Sequence, residues 1–211
     1  MVDGVDSTPL IMAIIKENIE ILNILLQNGA NPNLFWERFE TPLIKAINDG
    51  KLEIILLLLE NGADANLVDN LNWTPLIKGI NKGDVQIIKK LLQYGANVNM
   101  YRKGILSPLT RAINEDKLEI VQIFVELGAD VNLVDGLNWT PITKAIAKGN
   151  IEILKILLQN GANPNLFWEG FETPLIKAIN DGKLEIIMLL LEMVQMPTLL
   201  IVLIGLLSLK L

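Results

Sequence analysis

The chain contains no cysteine and no histidine, and it has only three serines among its 211 residues. Without cysteine there can be no disulfide framework and no thiolate metal site. Catalysis therefore lacks several of its usual side chains, and we expect no enzyme, no metal site and no cofactor. The net charge is −6, whereas binding to nucleic acid requires positive charge that neutralises phosphates. We therefore expect no nucleic-acid partner.

Targeting and membrane signals are also missing from the sequence. The N-terminal residues do not combine a basic segment with an apolar core, so no secretory signal is visible. The most apolar run, residues 199–207, is much shorter than the ~20 residues that a membrane-spanning helix needs. We therefore expect no membrane association, and a location in the cytoplasm or inside a host cell.

A repeated motif is present instead, and it recurs every 33 residues. The Thr41-Pro42 pair has counterparts that begin at Thr8, Thr74, Ser107, Thr140 and Thr173. A Gly-Ala pair follows with the same step, at Gly29, Gly62, Gly95, Gly128 and Gly161. A fixed period of this size is typical of proteins built from stacked repeats.

Each repeat predicts a pair of short helices, as residues 41–66 illustrate. Thr41 can cap the first helix, and Pro42 suits its first position. Asp49-Gly50 ends that helix, and Gly62 can end the second one in a left-handed conformation. Helices below ~12–15 residues are marginal alone, so they must bury apolar side chains against neighbouring repeats. The predicted core of this unit is Leu43, Ile44, Ile47, Ile54, Ile55, Leu58 and Leu59.

The order Thr-Pro-Leu, Ala, Gly, Glu-Ile, Leu-Leu, Gly-Ala-Asp and Asn at this spacing resembles the ankyrin repeat. The resemblance covers residues 2–192 and implies an all-α ankyrin-repeat solenoid of stacked helix-turn-helix units with short hairpin or loop fingers. We predict one domain at 1–192, with repeats at about 2–33, 34–66, 67–99, 100–132, 133–165 and 166–192. The family pattern reads Thr-Pro-Leu-His, so the imidazole that ties the threonine to the backbone is missing here.

Residues 193–211 depart from the repeat and are strongly apolar. A membrane anchor and a hydrophobic cap are two interpretations of this tail. A third follows from the genetic code: read one base earlier, the codons of residues 193–198 permit Asn-Gly-Ala-Asp-Ala-Asn, which is what the repeat requires at this point. We therefore hypothesise that the tail is a seventh repeat translated out of frame, and the DNA sequence tests this.

Five cations occupy one position of the repeat, four residues after its capping residue: Lys45, Lys78, Arg111, Lys144 and Lys177. The resemblance implies that this basic series lies on the exposed side of each first helix and faces a concave groove. Such a row of charge would favour and steer a partner with an acidic surface. The alternative is an ordinary solvated helix face. If the residues bind a partner, reversing Lys78, Arg111 and Lys144 to Glu should weaken binding without lowering the melting temperature.

The tryptophans and Tyr101 lie in the predicted turns between repeats; the four tryptophans are Trp36, Trp73, Trp139 and Trp168. The resemblance implies that these turns are fingers beside the groove, and exposed Trp and Tyr are common anchors of interfaces. The alternative is that Trp73 and Trp139 pack on the neighbouring finger. The sequence alone leaves both interpretations open.

The predicted function is a non-catalytic scaffold, a monomer that binds an unidentified protein through the groove and finger tips. The alternative is a truncated remnant of a longer ankyrin repeat gene with no selected activity. Acid–base catalysis by carboxylates is a weaker option. The repeated glutamates are already explained, because a negative charge in the first turn of a helix favours its dipole. They are Glu20, Glu53, Glu119, Glu152 and Glu185.

Overall fold

The computed structural model of the chain describes residues 8–35, 40–166 and 173–193. These residues form twelve α-helices, and their only β-type pairing is an isolated bridge at Glu40. The predicted all-α class is therefore confirmed. The helices are α1 (Pro9–Ile15), α2 (Ile19–Gln27), α3 (Pro42–Asp49), α4 (Leu52–Glu60), α5 (Pro75–Lys82), α6 (Val85–Gln93), α7 (Pro108–Asn114), α8 (Leu118–Glu126), α9 (Pro141–Lys148), α10 (Ile151–Gln159), α11 (Pro174–Asn180) and α12 (Leu184–Met193).

The chain divides into two compact units, Met1–Pro108 and Leu109–Leu211. In the first unit, α1 packs on α2 and α3, and α3 packs on α4 and α5. The second helices form their own stack, in which α2 packs on α4 and α4 packs on α6. In the second unit, α9 packs on α10 and α11, α8 packs on α10, and α11 packs on α12. Each unit is thus a stack of helix pairs with first helices in one layer and second helices in the other.

The predicted helix starts are confirmed by the capping geometry. In α3, the Thr41 hydroxyl accepts a hydrogen bond from the Ile44 N–H at 3.2 Å, and Pro42 occupies the first turn. This bond satisfies an amide that has no partner within the helix. Four other threonines do the same at the starts of α1, α5, α9 and α11: Thr8, Thr74, Thr140 and Thr173.

The predicted core of the second repeat is also confirmed, since all seven of its residues are at most 5% exposed. Phe124 of α8 is fully buried at the position that leucine occupies in the other second helices, such as Leu58 and Leu157. Helices of seven to ten residues persist because these apolar side chains are buried between successive pairs.

Asparagine side chains connect successive repeats at the base of the fingers. The Asn66 side-chain amide donates to the Gly95 carbonyl at 2.9 Å, and its oxygen accepts from the Asn97 N–H at 2.7 Å. Asn33 makes the corresponding bonds in the first unit, and Asn132 makes them in the second. Because each side chain satisfies two backbone groups of the next repeat, these bonds fix the spacing between repeats.

A threonine takes over part of the role of the missing histidine in one repeat. The Thr140 N–H donates to the Thr143 hydroxyl at 3.1 Å, and the Thr143 N–H donates to the Thr140 hydroxyl at 3.2 Å. This reciprocal pair is a capping box at the start of α9. The position next to the Thr-Pro-Leu motif therefore keeps a polar link here, whereas it is apolar at Ile44 and Ile77.

Two tryptophans of the prediction, Trp36 and Trp168, lie outside the described residues, and so does the tail beyond Met193. The out-of-frame hypothesis for residues 193–211 therefore stays a prediction. None of the helices that the structure describes combines the length and the apolar character needed to cross a bilayer.

Candidate functional site

The basic series lies on the first helices of the second to sixth pairs, and its members fall into two groups according to the residues that they contact. Three of them pair with an acid four residues further along the chain. The distances are 2.9 Å for Lys45–Asp49, 3.4 Å for Arg111–Glu115 and 2.9 Å for Lys177–Asp181. In the other two repeats the corresponding residue is a lysine, Lys82 or Lys148, so Lys78 and Lys144 take different partners.

In the first unit, Lys78 joins Asp69 and Trp73 in a compact cluster. Its Nζ lies 2.9 Å from Asp69 Oδ2 and 4.7 Å from the centroid of the Trp73 ring. The other carboxylate oxygen, Oδ1, accepts the N–H of Leu71 at 2.8 Å and that of Trp73 at 2.9 Å. The Asp69 side chain is only 5% exposed. The carboxylate therefore holds the finger and the cation together.

The finger around Asp69 is a tight turn that the sequence Asp-Asn-Leu-Asn-Trp encodes locally. The Asp69 N–H donates to the Trp73 carbonyl at 3.1 Å, and the Asn72 N–H donates to the Asp69 carbonyl at 3.0 Å. Asn72 has φ 61°, a left-handed conformation that asparagine adopts more easily than most residues. The Asp-Gly-Leu-Asn-Trp finger repeats this geometry, with Asn138 at φ 63°.

The second unit contains the matching cluster of Asp135, Trp139 and Lys144. Lys144 Nζ lies 3.6 Å from the centroid of the Trp139 ring, a favourable cation–π distance. Asp135 Oδ1 accepts the N–H groups of Leu137 and Trp139 at 2.9 and 3.0 Å. Its Oδ2 accepts the Thr110 hydroxyl at 2.5 Å. Asp135 is 3% exposed and Lys144 is 8% exposed, so this cluster is buried.

The burial of Lys144 differs from the expectation that the whole basic series lies on an exposed helix face. Among the repeats of the basic series, only the third and fifth have an aspartate at this finger position, and in both the lysine lies over the tryptophan ring. At the equivalent position the fourth repeat has Arg102, and Arg111 pairs along its own segment instead. Reversal of Lys78 or Lys144 to Glu would set two carboxylates against each other and destabilise the finger. These two residues are therefore unsuited to the binding test that the sequence suggested.

Burial lowers the pKa of Lys144 below its usual value of 10.5, because desolvation disfavours the ammonium form. The negative charge of Asp135 opposes this shift, and the positive charge of Lys148 adds to it. Below the lowered pKa both the folded and unfolded chains carry the proton. As the pH rises through the lowered pKa toward 10.5, the unfolded chain holds more protons, so the stability of the folded chain rises.

We expect this rise to disappear in Lys144→Met, which keeps the volume of the side chain and cannot titrate. The measurement is the free energy of unfolding in urea at pH 7 and pH 10 for both chains. The free energy of unfolding of the wild type, relative to that of the variant, should be higher at pH 10 than at pH 7. The contributions of the other titrating groups are the same in both chains and cancel in this difference. A pH-independent difference would show that the Lys144 pKa is not lowered by folding.

The tryptophans of the two clusters are half-buried beneath the lysines, an arrangement that neither interpretation of the sequence included. The finger tips expose leucines instead, Leu71 at 57% and Leu137 at 47%. Sequence reasoning missed both leucines and both aspartates. The sequence did contain a pattern that could have indicated these residues, because Asp-x-Leu-Asn-Trp occurs at both 69–73 and 135–139. Tyr101 is half-buried in the loop before α7.

In the part of the chain that the structure describes, no three His, Cys, Asp or Glu side chains are grouped so as to hold a metal ion. The repeated glutamates lie in the first turns of α2, α4, α8, α10 and α12, as predicted. They stabilise those helices through the helix dipole.

Capped helix pairs that stack through apolar faces, with fingers before α5 and α9, define an all-α repeat protein. Sequence profiles of known families agree with this class. A profile described as ankyrin repeats in three copies matches residues 10–102, and one described as ankyrin repeats in many copies matches residues 109–158 and 145–191. The chain belongs to the ankyrin repeat family.

Solved structures support the same assignment. The ankyrin repeat domain of Bcl-3, described as a unique member of the IkappaB family, is 24% identical with a TM-score of 0.80 over 90% of this chain and 87% of that one. The human ASB11 ankyrin repeat domain is 26% identical with a TM-score of 0.70 over 89% and 84% of the two chains. No curated protein sequence matches the chain. Ankyrin repeat domains generally mediate protein–protein interaction, and the fold is typically a non-catalytic scaffold.

Proposed function

We propose that this chain is a non-catalytic recognition module that binds a protein partner through its first helices and finger tips. The contact residues of the proposal are Lys45, Arg111 and Lys177, the finger-tip leucines Leu71 and Leu137, and Tyr101. Trp36 and Trp168 remain predicted contacts. Lys78, Lys144, Trp73 and Trp139 shape the fingers and support the tips. The proposed location is cytoplasmic.

The single observation that carries the proposal is the division of the basic series. Lys45, Arg111 and Lys177 have side chains that are 24–29% exposed, and each pairs with an acid on the same segment. Such surface pairs contribute only about 0.3–0.5 kcal/mol. A partner carboxylate can therefore replace the intramolecular acid at little cost, which favours a partner with an acidic surface.

The finger tips supply the apolar part of the proposed contact. Leu71 and Leu137 project from fingers that are fixed by the carboxylates of Asp69 and Asp135. A rigid finger loses little conformational entropy on binding, and this favours affinity. Apolar finger tips together with half-buried cations on the first helices would fit a protein surface that combines an apolar patch with carboxylates.

The test of this proposal reverses the charge of the exposed cations, in the triple variant Lys45→Glu, Arg111→Glu and Lys177→Glu. Proteins captured from a lysate of cells that express the chain would be identified, and each purified candidate titrated by calorimetry. We expect partner binding to weaken about tenfold or more, because attraction becomes repulsion at the interface.

The matched control reverses three cations of the second helices, Lys89, Lys90 and Lys155, and so changes the net charge by the same amount. Its affinity should stay within about twofold of wild type. Both variants should keep the circular dichroism spectrum of the wild type. Equal losses in the two triple variants would mean that only net charge matters, and the proposed surface would be wrong.

The remnant hypothesis is the second candidate, and the exposed apolar face of the last helix pair favours it. Ile176 and Ile179 of α11 are 46% and 51% exposed, as in a repeat whose next neighbour is missing. The DNA sequence tests this candidate: the codons of residues 193–211 must spell a seventh repeat in the neighbouring frame. Any other codon choice excludes it.

A further inference from the structure

The second and sixth repeats provide an internal comparison of the same sequence in two surroundings. Residues 40–55 and 172–187 are identical. Ile44 and Ile47 of α3 are fully buried, at 0% exposure, where α5 packs on α3. Their copies in α11, Ile176 and Ile179, are 46% and 51% exposed. The difference comes from the next helix pair, which among the described residues exists only for the second repeat.

The first and fifth repeats give the opposite comparison. The helix α2 reads IEILNILLQ and α10 reads IEILKILLQ, so that one residue differs. Ile21 of α2 is 49% exposed, whereas its copy Ile153 in α10 is fully buried. The helix α10 packs on the preceding helix α8, and within the described part of the chain no helix precedes α1. The first repeat thus exposes the face that a preceding repeat covers elsewhere.

We infer that copies of this chain associate head to tail. In this contact α1 of one copy stacks on α11 of another, over Ile176 and Ile179, and α2, which carries Ile21, stacks on α12, as first and second helices stack in the interior. The two faces are the two halves of the interface by which this chain already stacks its own repeats. The occupant of each face is therefore a second copy, in the register that the interior uses. The inference rests on observations other than those that carry the proposed function, and it is an alternative to the expected monomer.

A polar contact of the interior can also form between copies. Lys82, the last residue of α5, donates to the Asn48 carbonyl of the preceding helix pair at 3.1 Å. The repeat period places Lys16 of the first repeat at the position of Lys82, and Asn180 of the sixth at the position of Asn48. Stacking of the first repeat on the sixth would bring these two residues together in the same way.

The contact joins two different faces, so every added copy presents a free face for the next one. Heterologous contacts of this kind produce rings or open chains rather than a closed two-fold dimer. Sedimentation velocity of the full chain from about 1 to 100 μM, where contacts of micromolar affinity respond, should give an average mass that rises above 23.5 kDa with concentration. A mass of 23.5 kDa throughout would overturn the proposal and favour the chain's own tail as the cover.

Two variants test the two faces separately. Ile21→Asp blocks the head face and Ile179→Asp blocks the tail face; each alone should raise the concentration at which mass grows by about tenfold or more. An equimolar mixture should form a complex of two chains and stop there, because each variant retains one intact face. Leu127→Asp is the matched control, since Leu127 is 57% exposed at the end of α8, and it should behave like the wild type.

The mixing experiment separates lost association from lost folding. Both Asp variants should keep the helical circular dichroism of the wild type; if either loses it, Ile21→Ser and Ile179→Ser replace them. A mixture of folded variants that stays monomeric would contradict the head-to-tail contact, as would variants that associate like the wild type. The double variant Lys45→Glu and Arg111→Glu, which leaves Lys177 beside Ile176 unchanged, should associate normally, and this keeps the test distinct from that of partner binding.

Discussion

Replacing Phe124 by alanine should lower the free energy of unfolding by about 3–5 kcal/mol, the largest core effect that we expect. Phe124 is fully buried in α8, so the substitution removes transfer free energy and leaves a cavity in the second unit. The loss corresponds to a fall in melting temperature of roughly 10 °C for a chain of this size. Urea and thermal unfolding followed by circular dichroism measure it.

Two matched variants show whether burial is the cause. Phe35→Ala removes the same side chain from a position that is 47% exposed, and its effect should stay within about 0.5 kcal/mol. Phe124→Leu introduces the residue that other repeats use and should cost less than about 1.5 kcal/mol. If Phe124→Ala were no more damaging than Phe35→Ala, the packing described for α8 would be incorrect.

Asp135→Ala should destabilise the second unit by about 3–5 kcal/mol, because it removes a buried carboxylate that accepts three hydrogen bonds and leaves their donors unsatisfied. The substitution leaves the N–H groups of Leu137 and Trp139 and the Thr110 hydroxyl without their acceptor. It also leaves Lys144 as a buried cation without its counter-charge. The measurement is urea unfolding, with tryptophan fluorescence as a second signal for release of the Trp139 ring.

The control for this prediction is Asp130→Ala. Asp130 is exposed, and its carboxylate accepts the Asn132 N–H at 2.8 Å. Loss of that solvent-exposed bond should cost about 0.5–1.5 kcal/mol. Asp135→Asn should fall between the two, because it keeps an acceptor oxygen and loses the charge. Equal effects of Asp135→Ala and Asp130→Ala would show that the finger cluster does not stabilise the unit.

The two finger clusters also determine which cations of the basic series can contact a partner. A row of five equivalent cations would present a uniform positive surface, but the side-chain contacts divide it. Lys78 contacts Asp69 and Trp73, and Lys144 lies over the Trp139 ring, whereas the other three members keep weak surface pairs. The fingers of the third and fifth repeats therefore support their leucine tips, and in the function that we propose the remaining cations would contact the acidic groups of a partner.

Much of the fold could be read from residues close together in sequence. Thr41 and Pro42 define a helix start through one hydroxyl–amide bond and one fixed backbone angle. Gly62, at φ 85°, follows the helix end because a left-handed conformation suits glycine. The apolar positions of α4 follow from helical periodicity. Each of these signals depends on a few neighbouring residues, so the sequence was sufficient.

The partners of the basic series required the tertiary structure. Lys78 lies nine residues after Asp69, and whether their side chains meet depends on how the finger folds back on the helix. The bond from Thr110 to Asp135 joins one repeat to the next, and no local pattern encodes it. A long basic side chain can reach more than one acidic residue. The backbone positions of the neighbouring repeats determine which of these residues it contacts.

By itself, the sequence determined the period, the helix pairs, the caps and which faces of the helices are apolar, because these properties arise within one repeat. Only the tertiary structure decided which of those faces are covered. Ile47 and Ile179 lie in identical surroundings in sequence, yet their exposures are 0% and 51%. Burial of an apolar residue depends on the neighbouring repeat, and so α11 exposes a face that α3 buries although residues 40–55 and 172–187 are identical.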